Sequence, residues 1–166
     1  MRTPDSQPPS PFRPTLAGCV GRDLALARAL EGIYLHALYS VAASTYRSLI
    51  AERHDRALAA TLDEISIDQS EHFRLLGDLI LALGGNPTVR TEMQVEPIPS
   101  LAADDRHAEE IAARLIARSF AERKWSIDRM QTLMGSTQDR IVRSILAHLI
   151  TDEERHLQML RNCRPQ

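Results

Sequence analysis

The sequence predicts an all-α protein, an antiparallel four-helix bundle with one long crossover between its second and third helices. Three observations lead to this prediction. Ala, Leu, Ile, Arg and Glu dominate the 166 residues, and this mixture favours helices. Apolar residues recur at the three- and four-residue spacing of a helix in four segments. The links between the segments are short, long and short in turn, as expected for a bundle with one crossover.

The first two helices are predicted at about 22–52 and 56–83. The first helix begins with a short apolar lead-in formed by Leu26, Leu30 and Ile33. It continues with a stripe at a shifted angle, which we expect to face the core: Leu35, Tyr39, Ala42, Tyr46 and Leu49. The second carries the stripe Leu62, Ile65, Gln69, His72, Leu76 and Leu79. It is predicted to end at Gly84-Gly-Asn-Pro87, because glycine suits a left-handed cap and proline cannot continue a helix.

The third and fourth helices are predicted at about 103–134 and 138–162. Acidic residues in the first turn favour a start of the third helix near 103–105. Gly135-Ser-Thr137 is predicted to end that helix and to cap the next. The stripe of the fourth helix is Val142, Leu146, Leu149, Glu153, His156 and Leu160.

The link over 84–103 determines the predicted topology. A helix of about 28 residues is roughly 42 Å long, and a link of about 20 residues can extend to roughly 65 Å. The link can therefore return along the bundle and start the third helix beside the start of the second. This topology places Cys19 and Cys163 at opposite ends of the bundle, which argues against a disulfide between them.

Composition narrows the class of protein. The formal net charge of −2 and the isoelectric point near 6.3 argue against a nucleic-acid or anionic-membrane surface. No apolar run approaches the roughly 20 residues of a membrane span. Residues 1–17 are rich in proline without an apolar stretch, which predicts a disordered arm rather than a signal peptide, before a bundle domain over 18–166. We expect a cytoplasmic protein.

The stripes of the second and fourth helices each contain a polar pair that ends in histidine. These pairs are Gln69 with His72 and Glu153 with His156. Burying such groups without partners costs several kcal/mol. Something in the interior must therefore satisfy them, and a metal ion is the first candidate.

Two further residues are expected at the same level of the bundle. The turn near 136 is almost midway between Glu122 and Glu153, so these glutamates should face each other across an antiparallel pair. The turn near 54 relates Tyr39 to Gln69 in the same way. The sequence therefore predicts one interior site to which all four helices contribute.

Most of the chain after the N-terminal arm resembles the rubrerythrin-type branch of the ferritin-like proteins. The motifs that carry the resemblance are Tyr39-Ser-Val-Ala-Ala-Ser-Thr-Tyr46, Asp68-Gln-Ser-Glu-His72, Leu76-Gly-Asp-Leu-Ile with Gly84-Gly-Asn-Pro87, and Ile150-Thr-Asp-Glu-Glu-Arg-His156. The resemblance implies two iron or manganese ions, held by one glutamate from each of helices 1 and 3 and a Glu-x-x-His pair from each of helices 2 and 4. It also implies a homodimer of bundles packed side by side.

Two departures from the family pattern lower the expected metal content. Tyr39 stands where the resemblance implies a terminal glutamate, and Gln69 where it implies a bridging one. Because the two remaining carboxylates balance one divalent cation, we expect one iron or manganese ion, with zinc as an alternative, rather than two. The predicted ligands are Glu122, Glu153 and His156, with His72 as an auxiliary and Gln69 and Tyr39 as weak ligands. The implied chemistry, weakened by these losses, is an oxidoreductase reaction with oxygen or peroxide, and no catalytic residue is assigned.

The same residues also permit a metal-free interpretation. Arg129 is two turns from Glu122 on the same stripe and could compensate buried carboxylate charge. His72 could equally form a hydrogen bond to Gln69 or Tyr39. The bundle would then be a non-catalytic protein that serves assembly or partner binding. Both functions remain open from the sequence.

Overall fold

The computed structural model describes residue 16, residues 22–89 and residues 108–163. These ranges contain four helices and no strand: α1 (Leu24–Ala51), α2 (Arg56–Ala82), α3 (Ala108–Ser136) and α4 (Arg140–Asn162). The predicted all-α fold is therefore confirmed. The predicted arm over 1–17, apart from Leu16, lies outside the described residues, as do Cys19 and the predicted start of helix 3.

Aspartate side chains cap the starts of three helices. Asp23, Asp55 and Asp139 each accept a hydrogen bond of 2.9 Å from a backbone N–H in the first turn of α1, α2 and α4, respectively. At the end of α2, Gly84 has a φ of 84°, which is the left-handed conformation predicted there. The predicted cap of the fourth helix at Gly135-Ser-Thr137 is wrong, because α3 extends through Ser136 and Asp139 caps α4.

Contacts between helices show how the bundle is connected. Thr61 near the start of α2 contacts Cys163 after the end of α4 at 3.3 Å, whereas His72 further along α2 contacts Asp152 earlier in α4. Thus α2 and α4 are antiparallel, and the short α3–α4 turn makes α2 and α3 parallel. The first turns of α3 pack in the same apolar cluster as the first turns of α2. This is the predicted result of a long crossover.

Two apolar clusters, one toward each end of the bundle, form the core. Every member of the stripes predicted for α2 and α4 is buried, which confirms both. The stripe predicted for α1 is wrong, because Leu49 is 62% exposed and Ala42 is also exposed. Instead, the lead-in stripe continues along the whole helix, through Leu26, Leu30, Ile33, Ala37, Ser40, Ser44, Arg47 and Ala51.

Within residues 22–89 and 108–163, none of the four helices combines the length and the hydrophobicity that a membrane-spanning helix requires.

Candidate functional site

A layer of buried polar side chains separates the two apolar clusters. Each helix contributes at least one side chain to this layer. The six members, none of which is more than 5% exposed, are Ser40, Gln69, His72, Arg123, Glu153 and His156. Their burial follows from the inward stripes of the four helices, which pass through this level at three- and four-residue spacing. The layer is the predicted interior site, with different residues from α1 and α3.

Arg123 is the cation at the centre of this layer. Its side chain is 1% exposed, and its Nη1 lies 3.2 Å from Oε2 of Glu153. Its Nη2 donates a hydrogen bond to the Oγ of Ser40. Burial acts to raise the pKa of Glu153, but the charge of Arg123, with help from His156 and His72, outweighs burial and lowers that pKa to about 2. Glu153 is therefore ionised and paired with a guanidinium.

Two aspartate–histidine pairs cross between α2 and α4. The Nε2 of His156 lies 2.7 Å from Asp68, and the Nε2 of His72 lies 3.2 Å from Asp152. Asp68 directly precedes Gln69 in α2, and Asp152 directly precedes Glu153 in α4, so the arrangement is nearly two-fold symmetric. Because the aspartates accept hydrogen bonds from the outer ring nitrogens, both rings direct Nδ1 toward the centre of the bundle.

The inner nitrogens of the two histidines have different surroundings. The Nε2 of Gln69 lies 3.1 Å from Nδ1 of His72 and 3.1 Å from Oε1 of Glu153. His156 Nδ1 is 3.5 Å from Glu153 Oε2, and neither of these two buried atoms has a hydrogen-bond partner. Burial acts to lower the pKa of His156, but Asp68 and Glu153 outweigh burial and raise it. The two neighbouring carboxylates thus stabilise the charged form of the His156 imidazole relative to its neutral form.

A second ion pair joins α1 to α3. Arg47, 4% exposed, donates to both carboxylate oxygens of Glu122, at 2.7 and 2.5 Å, and also to Ser119 at 3.2 Å. Burial acts to lower the pKa of Arg47, but Glu122, with a smaller contribution from Tyr39, raises it. Glu122 is thus engaged by an arginine rather than placed beside Glu153.

The predicted site residues are only partly brought together. Gln69, His72, Glu153 and His156 meet in the polar layer, whereas Glu122 and Tyr39 lie at Arg47, outside it. The inward positions on α1 and α3 are occupied by Ser40 and Arg123, which directly follow Tyr39 and Glu122 in the sequence. Arg129, predicted as the compensating cation, is exposed, and its guanidinium lies 5.7 Å from the ring centroid of Trp125. The buried cation is Arg123 instead.

Sequence reasoning assigned no role to Asp68, Asp152, Arg47, Ser40 or Arg123. The two aspartates had a visible signal, because Asp-Gln-x-x-His and Asp-Glu-x-x-His repeat with the aspartate at the same place. The others follow from a rotation of α1 and α3 that the residue pattern did not specify.

The residues present do not fit the pair of metal ions that the resemblance implies. Glu153 is the only carboxylate among the six members of the polar layer, and Arg123 already neutralises it. No three His, Cys, Asp or Glu side chains in the parts of the chain that the structure describes are placed to hold a metal ion together. A single ion at Glu153 and His156 would require the guanidinium to move away.

A four-helix bundle with one long crossover is the architecture of the ferritin-like folds. The sequence profile of the family described as ferritin-like domain matches residues 28–164, and the chain belongs to that family. No curated protein is detectably similar in sequence.

Solved structures show the same fold at low sequence identity. The dodecameric thioferritin of Bacteroides fragilis, a bacterioferritin-related protein, is 18% identical with a TM-score of 0.66, over 89% of this chain and 88% of that one. The bacterioferritin of Rhodobacter capsulatus, with a metal-free dinuclear site and haem iron, is 18% identical with a TM-score of 0.67, over 86% and 85%. The bacterioferritin of Desulfovibrio desulfuricans, which has a diiron site, is 19% identical with a TM-score of 0.59, over 85% and 78%.

Proposed function

We propose that this chain is a non-catalytic ferritin-like protein, which keeps the bundle for assembly and replaces the metal pair with a buried ion network. The observation that supports the proposal is the contact of 3.2 Å between Arg123 and Glu153, both of which are 1% exposed. A guanidinium in this position supplies the positive charge that a metal ion would otherwise bring to Glu153. The narrower resemblance to rubrerythrins and the cytoplasmic location remain predictions.

Charge balance favours the network over a bound cation. Arg123 is paired with Glu153 and Arg47 with Glu122, so neither glutamate has uncompensated charge. A divalent ion about 4 Å from the guanidinium would be repelled by roughly 8 kcal/mol at an effective dielectric constant of about 20. The ion would also compete with Arg123 for the same carboxylate.

Metal analysis of two matched arginine variants tests the proposal. The wild-type chain, incubated without oxygen with iron(II), manganese(II) or zinc(II) and then desalted, is expected to retain no stoichiometric metal. Arg123→Met removes the buried cation, whereas Arg129→Met removes an exposed one from the same helix and serves as the control. Retention of about one ion per chain by the wild type would overturn the proposal.

A second candidate function, binding of a single iron or manganese ion, has one observation in its favour. Glu153 Oε2 and His156 Nδ1 are buried, 3.5 Å apart and without hydrogen-bond partners, and a cation could bind between them. Iron is the metal named for the dinuclear site of the Desulfovibrio desulfuricans bacterioferritin, which has the same fold. This candidate predicts metal in the wild type that is lost in Glu153→Gln and in His156→Gln. The ion-network proposal predicts that the wild type lacks metal from the start.

A further inference from the structure

We infer that the proline-rich residues 1–15, which lie outside the described residues, bind in a groove between α1 and α3 and pack on Trp125. Trp125 is the only tryptophan of the chain, and it is 42% exposed. Proline-rich segments are bound in grooves that are lined by aromatic side chains. The α1/α3 groove consists of exposed residues of both helices, Ala25, Ala29 and Gly32 on α1 and Trp125, Arg129 and Thr132 on α3.

Helical periodicity and one ring contact show that the two sides of this groove face each other. At 100° per residue, the α1 members lie within roughly 40° of His36, and the α3 members within roughly 40° of Trp125. The ring centroids of His36 and Trp125 are 4.4 Å apart, so the two stripes meet between α1 and α3. A Cβ added at Gly32 would meet nothing within 4 Å beyond its own turn of helix. Space for a further segment therefore lies beside the indole.

Leu16 brings the proline-rich segment to the open end of the α1/α3 groove. Its half-buried side chain packs against the apolar cluster that contains the first turns of α1 and the last turns of α3. Trp125 is 11 residues before Ser136, where α3 ends, so it lies roughly 16 Å along the helix from that end. A polyproline II segment rises about 3.1 Å per residue and covers this distance in about five residues, which is the separation of Leu16 from Pro11.

The spacing of the prolines fits such a contact. Pro8, Pro11 and Pro14 are three residues apart. A polyproline II helix has three residues per turn, so in that conformation these prolines share one edge, with Pro11 at the level of Trp125. The small side chains of α1 allow the backbone of the segment to approach closely. Because the segment is attached through Leu16, its effective concentration is of millimolar order, which favours it over the same segment of another molecule.

Acrylamide quenching of the single tryptophan in the full chain tests the inference. The indole of the wild type is expected to be shielded. The variant Pro8→Ala/Pro11→Ala/Pro14→Ala should raise the quenching constant at least about twofold, because the edge that packs on the indole is lost. Pro4→Ala/Pro9→Ala is the control, since these prolines lie off that edge, and it should raise the constant by less than about 1.2-fold.

A variant in the groove tests the contact from its other side. Ala29→Glu places a longer, charged side chain in the groove and should expose the indole as the triple proline variant does. Ala113→Glu, an exposed change on α3 directed away from the groove, should leave the quenching unchanged. In NMR spectra of the wild type, nuclear Overhauser contacts are expected between the indole of Trp125 and the ring protons of Pro11.

Three results would overturn the inference. The first is equal quenching in the wild type and the triple proline variant. The second is the absence of the contacts between the indole and proline in the wild-type spectra. The third is shielding that grows with protein concentration, because the segment would then come from another molecule. Circular dichroism verifies that each variant is folded, and none of these measurements depends on the metal content that tests the proposed function.

Discussion

Replacing Arg123 with methionine should destabilise the bundle more than any surface change. Methionine keeps much of the apolar length of the side chain but leaves the carboxylate of Glu153, 1% exposed, without its guanidinium. Removing one partner of a buried ion pair costs about 3–5 kcal/mol. Two neighbours reduce the loss, since Gln69 still donates to Glu153 at 3.1 Å and the pKa of the adjacent His156 is raised. We therefore expect a loss of about 3 kcal/mol.

Urea denaturation followed by circular dichroism measures this loss, and a double-mutant cycle assigns it to the pair. Arg129→Met, the exposed control, loses only a contact with the ring of Trp125 and should change the free energy of unfolding by no more than about 1 kcal/mol. Adding Glu153→Met to Arg123→Met removes the orphaned charge and should recover much of the stability. A single-variant cost below about 1 kcal/mol, or additive effects of Arg123→Met and Glu153→Met, would refute the reasoning.

Three further predictions concern acid, a histidine and a glycine. The pKa of Glu153 is about 2 in the folded chain against an ordinary 4.5. Its contribution to stability is therefore present above about pH 4.5 and is lost as the pH falls toward 2. Urea midpoints that stay constant in this pH window would contradict the pairing. Asp68→Asn should lower the pKa of His156, because the hydrogen bond to Asp68 is one of the contacts that raise it. An unchanged NMR titration of the imidazole would count against the crossed pair. Gly85→Ala should cost about 1–3 kcal/mol of unfolding free energy in urea denaturation, because its new Cβ would lie 2.8 Å from the Cβ of Ala27 in α1. Gly135→Ala, which has open space around it, should be neutral or stabilising. Equal effects of both variants would refute the argument.

The parts of the fold that the sequence predicted well are those with one unambiguous inward stripe. In α2 and α4 the apolar positions recur on one side and charged residues cover the other, so both stripes were correct to the residue. The short turns and the long link then sufficed for the topology. In α1, by contrast, Leu35, Ala42 and Leu49 are as apolar as Leu30 and Ile33, and two stripes competed. Packing against the other helices, which the sequence does not display, decided between them.

The main error at the site has a similar origin. Glu122 and Arg123 are adjacent, and a helix turns about 100° from one residue to the next, so a modest rotation of α3 decides which of them is buried. A buried arginine is uncommon unless it is paired, and its partner Glu153 is on another helix 30 residues away. Sequence reasoning placed the carboxylate of Glu122 inward and considered a metal ion or Arg129 as its cation. The structure instead buries Arg123 beside Glu153.

The crossed aspartate–histidine pairs explain how a motif typical of metal ligands can persist around such a centre. Asp68 with His156 and Asp152 with His72 each join α2 to α4 by a hydrogen bond on the outer side of the ring. These bonds fix the register of the two helices and the orientation of both imidazoles whether the inner nitrogens meet a metal ion or protein groups. A chain whose inward positions at this level hold Ser40, Gln69 and Arg123 can therefore keep the rest of the motif for its packing alone. For this reason, the Asp-x-x-x-His spacing in this chain is explained by the contacts between α2 and α4 without a bound metal.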